Sequence, residues 1–68
     1  MAKHAAAVGL RVRMVGVMPG DPDPVTVGDT GTITEIFSAG MELEQYAVDW
    51  DSGRRLMLLP GDPFEIIR

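Results

Sequence analysis

The chain has 68 residues, 46% of them hydrophobic and 24% charged, so it is long enough for one small folded domain and is not typical of a disordered chain. Ten acidic residues against six Lys and Arg residues give a net charge of −4, which argues against a broadly basic surface for nucleic acid. Cysteine is absent, which excludes disulfides and thiolate metal sites, and a domain of this size has little room for a deep ligand pocket.

The N-terminal residues 1–8 are rich in alanine, and we expect them to form a flexible tail ahead of one domain over residues 9–68. Their apolar run is shorter than the core of a signal peptide, and the sequence holds no stretch of about 18 apolar residues of the kind that a membrane helix needs. We therefore expect no role at a membrane. Together with the absence of cysteine, this favours a cytoplasmic protein.

The first predicted strand covers residues 10–15, where apolar side chains alternate with arginines. Three prolines within residues 19–24 remove backbone donors and predict a stiff, acidic loop after this strand. The second predicted strand covers residues 32–37, after a glycine-containing turn. Ile33 is followed by Ile36, which breaks the two-residue period of a strand, so we expect a β-bulge between them.

The third predicted strand covers residues 45–50 and continues through a turn into a fourth over residues 54–59. A two-residue turn would place charged and apolar side chains on the same face, whereas a three-residue turn with a left-handed Gly53 separates them. We therefore predict the register of the three-residue turn. It pairs Trp50 with Arg54, Asp49 with Arg55, Val48 with Leu56, and Tyr46 with Leu58.

Residues 60–63, Pro-Gly-Asp-Pro, predict a short 3₁₀ turn before a last strand over residues 64–67. Five short strands with a long loop after the first predict an all-β fold, a small five-stranded barrel that is closed or nearly closed. Closure of the barrel would also remove the exposed strand edges that promote aggregation.

Three segments resemble known domains. They are Val-Gly-Asp-Thr-Gly-Thr-Ile-Thr at residues 27–34, Val-Asp-Trp-Asp-Ser-Gly at residues 48–53, and the Leu-Met-Leu-Leu-Pro-Gly segment that begins at Leu56. Over residues 9–67 the chain resembles a family of short bacterial and phage-encoded domains of unknown function. It is more distantly similar to the domain shared by the Mind bomb and HERC ubiquitin ligases. The resemblance implies an SH3-like barrel and, through the more distant family, peptide binding; it implies no catalytic residues.

Five residues are candidates for binding a partner protein or peptide: Asp21, Asp23, Trp50, Arg54 and Met57. The two loop acids suit a basic peptide; their spacing matches no calcium-binding loop, and a solvated loop is the alternative. Trp50 either caps the core beneath the Arg54 stem or serves as an exposed anchor. Met57 is expected to face outward in the predicted register and to belong to an exposed apolar patch.

An alternative site for nucleic acid consists of four arginines, which are Arg11, Arg13, Arg54 and Arg55. Small barrels that bind nucleic acid combine such cations with aromatic side chains that stack on bases. Asp49 and Asp51 lie beside these arginines in the predicted hairpin and favour cross-strand ion pairs instead. The nucleic-acid interpretation is therefore the weaker one.

We expect no enzymatic activity, no cofactor and no metal site. The one histidine, His4, lies in the predicted tail, and the chain has no cysteine to act as a nucleophile. The expected function is a non-catalytic protein-interaction module of bacterial or phage type. The alternatives are a nucleic-acid-associated barrel and a structural homo-oligomer, in which an apolar contact between copies would add stability to a small domain.

Overall fold

Four strands form one antiparallel sheet in the order β3-β2-β1-β4. The computed structural model describes residues 6–17 and 22–67, and within these residues it contains strands and loops but no helix. The all-β prediction is therefore confirmed. The strands are β1 (Arg11–Met14), β2 (Thr30–Phe37), β3 (Gln45–Trp50) and β4 (Phe64–Ile67).

The core lies against one face of the sheet. In β1 and β3 every second side chain is buried, as the alternation of apolar residues predicts. Residues outside the strands complete the core, because Val25 and Leu58 are as inaccessible to solvent as the strand residues. The buried cluster consists of Val12, Met14, Val25, Ile33, Tyr46, Val48, Trp50, Leu58 and Phe64.

A β-bulge interrupts the pairing of β2 with β3, at the position that the sequence predicts. Ile33 lies opposite Val48, and the register shifts before Glu35, which lies opposite Ala47. The extra residue returns Ile36 to the inner face, where it packs against the core.

Residues 54–59, which we call the closing segment, form two isolated bridges to β3 and not the predicted fourth strand of five. The bridges join Tyr46 to Leu58 and Asp49 to Arg55. Between them the Leu56 carbonyl accepts the indole N–H of Trp50 at 3.0 Å. A side-chain hydrogen bond therefore lies in the interval where backbone pairing is interrupted. The described residues accordingly form four strands in an open sheet, and among them the predicted five-stranded closed barrel is not observed.

The register of the hairpin is nevertheless the predicted one. The Trp50 N–H donates to the Arg54 carbonyl at 3.0 Å, and the Gly53 N–H donates to the Trp50 carbonyl at 2.8 Å. Gly53 has φ of 93°, which is the left-handed conformation that the three-residue turn requires.

The segment before β4 is a single hydrogen-bonded turn, where the sequence suggested a 3₁₀ turn. The Asp62 N–H donates to the Leu59 carbonyl at 3.0 Å, and the Asp62 carboxylate accepts the Leu59 N–H at 2.8 Å. The side chain of Asp62 thus closes this turn, and no 3₁₀ helix follows in the part of the chain that the structure describes.

Part of the predicted N-terminal tail lies outside the described residues, which begin at Ala6. Ala6 packs against the core, and the Gly9 N–H donates to the Ile33 carbonyl at 2.8 Å. The contacts of the chain with the sheet therefore begin before residue 9.

Tyr46 joins the core to the β2–β3 loop. Its ring packs edge-to-face on Phe64, with ring centroids 5.9 Å apart, and its hydroxyl donates to the Glu44 carboxylate. The other Glu44 oxygen accepts the Gly40 N–H, which orders the loop. Burial, and then the hydrogen bond to Glu44, raise the pKa of Tyr46 to about 12.

Replacing Gly53 with alanine should destabilise the fold by about 1 kcal/mol, because a Cβ atom is disfavoured in the left-handed conformation. Space is not the cause, since no atom lies within 4 Å of the position of that Cβ. Gly61→Ala is the matched control, because Gly61 is equally open and has no positive φ. Urea denaturation measures both variants, and equal stability of the two would contradict the turn assignment.

Folding should become less favourable as the pH rises from about 10 to about 12, because the folded chain keeps Tyr46 protonated while the unfolded chain releases the proton near pH 10. Tyr46 is the only tyrosine, so tyrosinate absorbance reports its titration alone. In Glu44→Gln the pKa should fall but stay above the ordinary value, because burial is the larger cause. A wild-type titration near pH 10 would show that the ring is not buried.

Candidate functional site

Arg54 joins the proline-rich loop to the end of the β3 hairpin. Its guanidinium donates to the carbonyls of Asp23, at 2.7 Å, and Pro24, at 3.0 Å. The Asp23 carboxylate lies 3.4 Å from the same guanidinium. Val25, which follows Pro24, is buried in the core, so these contacts hold the loop where it covers the interior. The structure thus brings together two predicted site residues, Asp23 and Arg54, and pairs them with each other.

The other predicted loop acid, Asp21, lies outside the described residues. Of the two acids predicted to face a basic peptide, only Asp23 therefore has a described position, and its charge faces Arg54.

Trp50 belongs to the core. Only 2% of its surface is exposed, and its indole N–H is satisfied by the Leu56 carbonyl. The interpretation of Trp50 as an exposed anchor for a partner is therefore wrong, because a ring at this depth offers no surface to a ligand. The alternative that the sequence left open, a residue that caps the core, is the observed one.

Two of the arginines in the nucleic-acid alternative lie on β1, and each is paired with an acid. The Arg11 guanidinium donates two hydrogen bonds to the Asp51 carboxylate, one to each oxygen, with N···O distances of 2.5 and 2.8 Å. This guanidinium, together with the Thr30 hydroxyl, holds the pKa of Asp51 well below its usual range. Arg13 lies 3.1 Å from Glu65 on the neighbouring strand.

Arg55 differs from the other three arginines. Its backbone bridges to Asp49, but among the described residues no acid lies within ion-pair distance of its side chain. The predicted ion pair between Asp49 and Arg55 is therefore absent, although their opposition across the hairpin is confirmed. Because the other three arginines face acids, the four do not combine into a basic surface for phosphates.

A shallow groove of about 360 Å³ lies on the side of the hairpin away from the core, at the interval between the two isolated bridges. Four of its lining residues, Ala47, Asp49, Arg55 and Met57, point away from the core in the register of the hairpin, whereas Val48 and Leu56 belong to the core or pack against it. The complete lining consists of Thr34, Ala47, Val48, Asp49, Arg55, Leu56 and Met57.

The groove is part of a larger surface, the outer face, in which the β2–β3 register and the bridges place residues in three rows. Met57, predicted to face outward, is 38% exposed there, and Phe37 and Leu59 at the end of the face are 42% and 49% exposed. We name the rows by their content: the charged row is Thr32, Asp49 and Arg55; the middle row is Glu35, Ala47 and Met57; the apolar row is Phe37, Gln45 and Leu59.

Several of the described acids that no cation pairs lie on β2, β3 and the loop between them. Glu35 and Asp49 on the outer face, and Glu42 in the loop beside it, have no cation within ion-pair distance in the described part of the chain. On the same side of the sheet, Arg11 lies opposite Thr32 but is paired with Asp51, so Arg55 is the arginine there that no described acid pairs. The surface is therefore apolar with an acidic margin.

Sequence reasoning found Met57 but missed Phe37 and Leu59. The signal was present, because the predicted register, continued by two residues, places Leu59 opposite Gln45. The predicted bulge likewise turns Phe37 to the outward side of β2, where it pairs with Gln45.

Residues 6–17 and 22–67 contain no group of three His, Cys, Asp or Glu side chains arranged to hold a metal ion. They also contain no helix of the length and hydrophobicity that crossing a bilayer requires.

Comparison with known proteins adds no assignment, because no protein family, curated protein or solved structure matches the chain.

Replacing Arg54 with alanine should lower the free energy of unfolding by roughly 1–2 kcal/mol, because two charge-assisted hydrogen bonds to loop carbonyls are lost. Arg55→Ala is the control, and its effect should stay within about 0.5 kcal/mol because its side chain is exposed and unpaired among described residues. Urea denaturation followed by the fluorescence of Trp50, the only tryptophan, measures both. Equal effects would show that Arg54 does not hold the loop.

Proposed function

We propose that this chain is a non-catalytic protein-interaction module that binds an extended peptide segment on its outer face. The observation that carries the proposal is the apolar groove beside Met57, within a surface whose apolar row is also exposed. Contiguous exposed apolar surface bordered by polar residues is typical of protein-interaction sites. The groove is open on one side, which suits side chains of a peptide better than a small molecule, because ligand pockets enclose most of their ligand.

The proposed site differs from the one that the sequence favoured. Met57 is retained, whereas Asp23 and Arg54 face each other and Trp50 is buried. The acidic character expected of the site is kept, but it comes from Glu35 and Asp49. A basic, apolar peptide remains the partner that we propose.

We also propose that the fold is a small SH3-like barrel that is partly open, in which the closing segment takes the place of a fifth strand. Its support is that both isolated bridges obey one register, that of a strand antiparallel to β3. The bacterial or phage origin suggested by the resemblance, and action in the cytoplasm, are part of the same proposal.

The test is a selection of random peptides on the folded wild-type chain, followed by nuclear magnetic resonance mapping of the selected binders. Resonances of Ala47, Met57 and Leu59 should shift. Met57→Asp should weaken binding at least tenfold, because it places a charge in the apolar part of the groove. Met41→Asp is the matched control, since Met41 is 70% exposed in the β2–β3 loop and does not line the groove; it should bind as wild type.

Three results would contradict this proposal. One is a set of binders that tolerates Met57→Asp in a variant shown by circular dichroism to be folded. The second is shifts that map outside the outer face. The third is selection of nucleic acid in preference to peptide, with affinity that falls steeply as salt is added, which would support the arginine alternative.

A further inference from the structure

We infer that the outer face recognises a five-residue extended motif: Lys or Arg at the first position and large apolar residues at the third and fifth. The inference rests on the proposed function and specifies its ligand. The cation would face Asp49, the first apolar side chain would enter the groove beside Met57, and the second would cover Phe37 and Leu59.

The spacing of the motif comes from the three rows. Asp49, Ala47 and Gln45 lie on the same side of β3 at every second residue, so successive rows are about 6.8 Å apart. An extended peptide also presents every second side chain to one side with the same repeat. A peptide that lies along the strands therefore places its first, third and fifth side chains on the charged, middle and apolar rows.

The apolar positions of the motif follow from what the middle and apolar rows expose. Ala47 has a small side chain between Met57 and the bulge at Thr34, which leaves the volume of the groove open. A Leu or Met side chain buried there would remove apolar surface of both partners from water. In the apolar row, Phe37 and Leu59 flank Gln45 and offer a second apolar contact.

The positive charge at the first position of the motif follows from the charges around the groove. Asp49 and Glu35 have no described cationic partner. Two arginines lie near Asp49: Arg55 opposes it directly, and Arg11, opposite Thr32 on the next strand, is already paired with Asp51. The whole chain adds a net charge of −4, so the long-range field also attracts a cation. Arg55 weakens this preference at short range, and removing it should therefore strengthen binding of a basic peptide.

The experiment titrates the isotope-labelled chain with two acetylated, amidated peptides, lysine-serine-leucine-serine-leucine and glutamate-serine-leucine-serine-leucine. The lysine peptide should bind about threefold tighter, the ratio expected of an exposed charge contact, and added salt should reduce the difference. Asp49→Asn should reduce the preference, because Glu35 and the net charge of the chain remain, and Arg55→Gln should increase it. Both substitutions are at exposed positions, and thermal denaturation checks that each variant is folded.

The outcomes separate this inference from the function on which it rests. Equal binding of the two peptides at the outer face would overturn the charge preference and leave the peptide-binding function standing. Failure of both peptides, together with failure of the random selection, would overturn both. Shifts of the same resonances with protein concentration alone, and dimers in light scattering, would identify a second copy of the chain as the occupant and overturn the motif.

Discussion

The hydrogen bond from the Trp50 indole to the Leu56 carbonyl connects the core of this domain to its outer surface. The ring is buried at the end of β3, and its N–H needs an acceptor because an unpaired donor at that depth is costly. The acceptor is a backbone carbonyl of the closing segment, in the interval between its two bridges to β3. The same interval forms the groove on the opposite side, so the contact that satisfies the core also shapes the proposed binding surface.

The backbone around Trp50 is adapted to this ring. A Cβ atom at Gly31, which lies opposite Trp50 on β2, would come within 3.0 Å of the ring and within 2.7 Å of Val48. A larger residue there would move the indole and, with it, the closing segment. Gly31, Trp50 and Leu56 therefore act as one packed unit, although they come from three separate parts of the sequence.

The charged residues of the domain fall into two groups, those in ion pairs and those without a described partner. The arginines Arg11, Arg13 and Arg54 are used to hold strands and the proline-rich loop in place, each against a different acid. Exposed pairs of this kind contribute little stability one at a time, but they remove cations from the free surface. Of the described acids without a cationic partner, Glu35 and Asp49 lie on the outer face and Glu42 lies in the loop beside it. This division is the reason that an acidic, apolar surface, and not a basic one, is the one available to a partner.

The sequence by itself determined the local features: an all-β chain, the bulge between Ile33 and Ile36, and the hairpin register set by Gly53. These follow from the two-residue period of strands and from the backbone freedom of glycine, which act over a few neighbouring residues. Only the tertiary structure decided that the closing segment forms two isolated bridges and not a strand, that Trp50 is buried, and that Arg54 faces Asp23. Each of these depends on which atoms meet across a long separation in sequence. Burial and hydrogen-bond satisfaction are properties of the whole packed chain, and no local pattern of residues contains them.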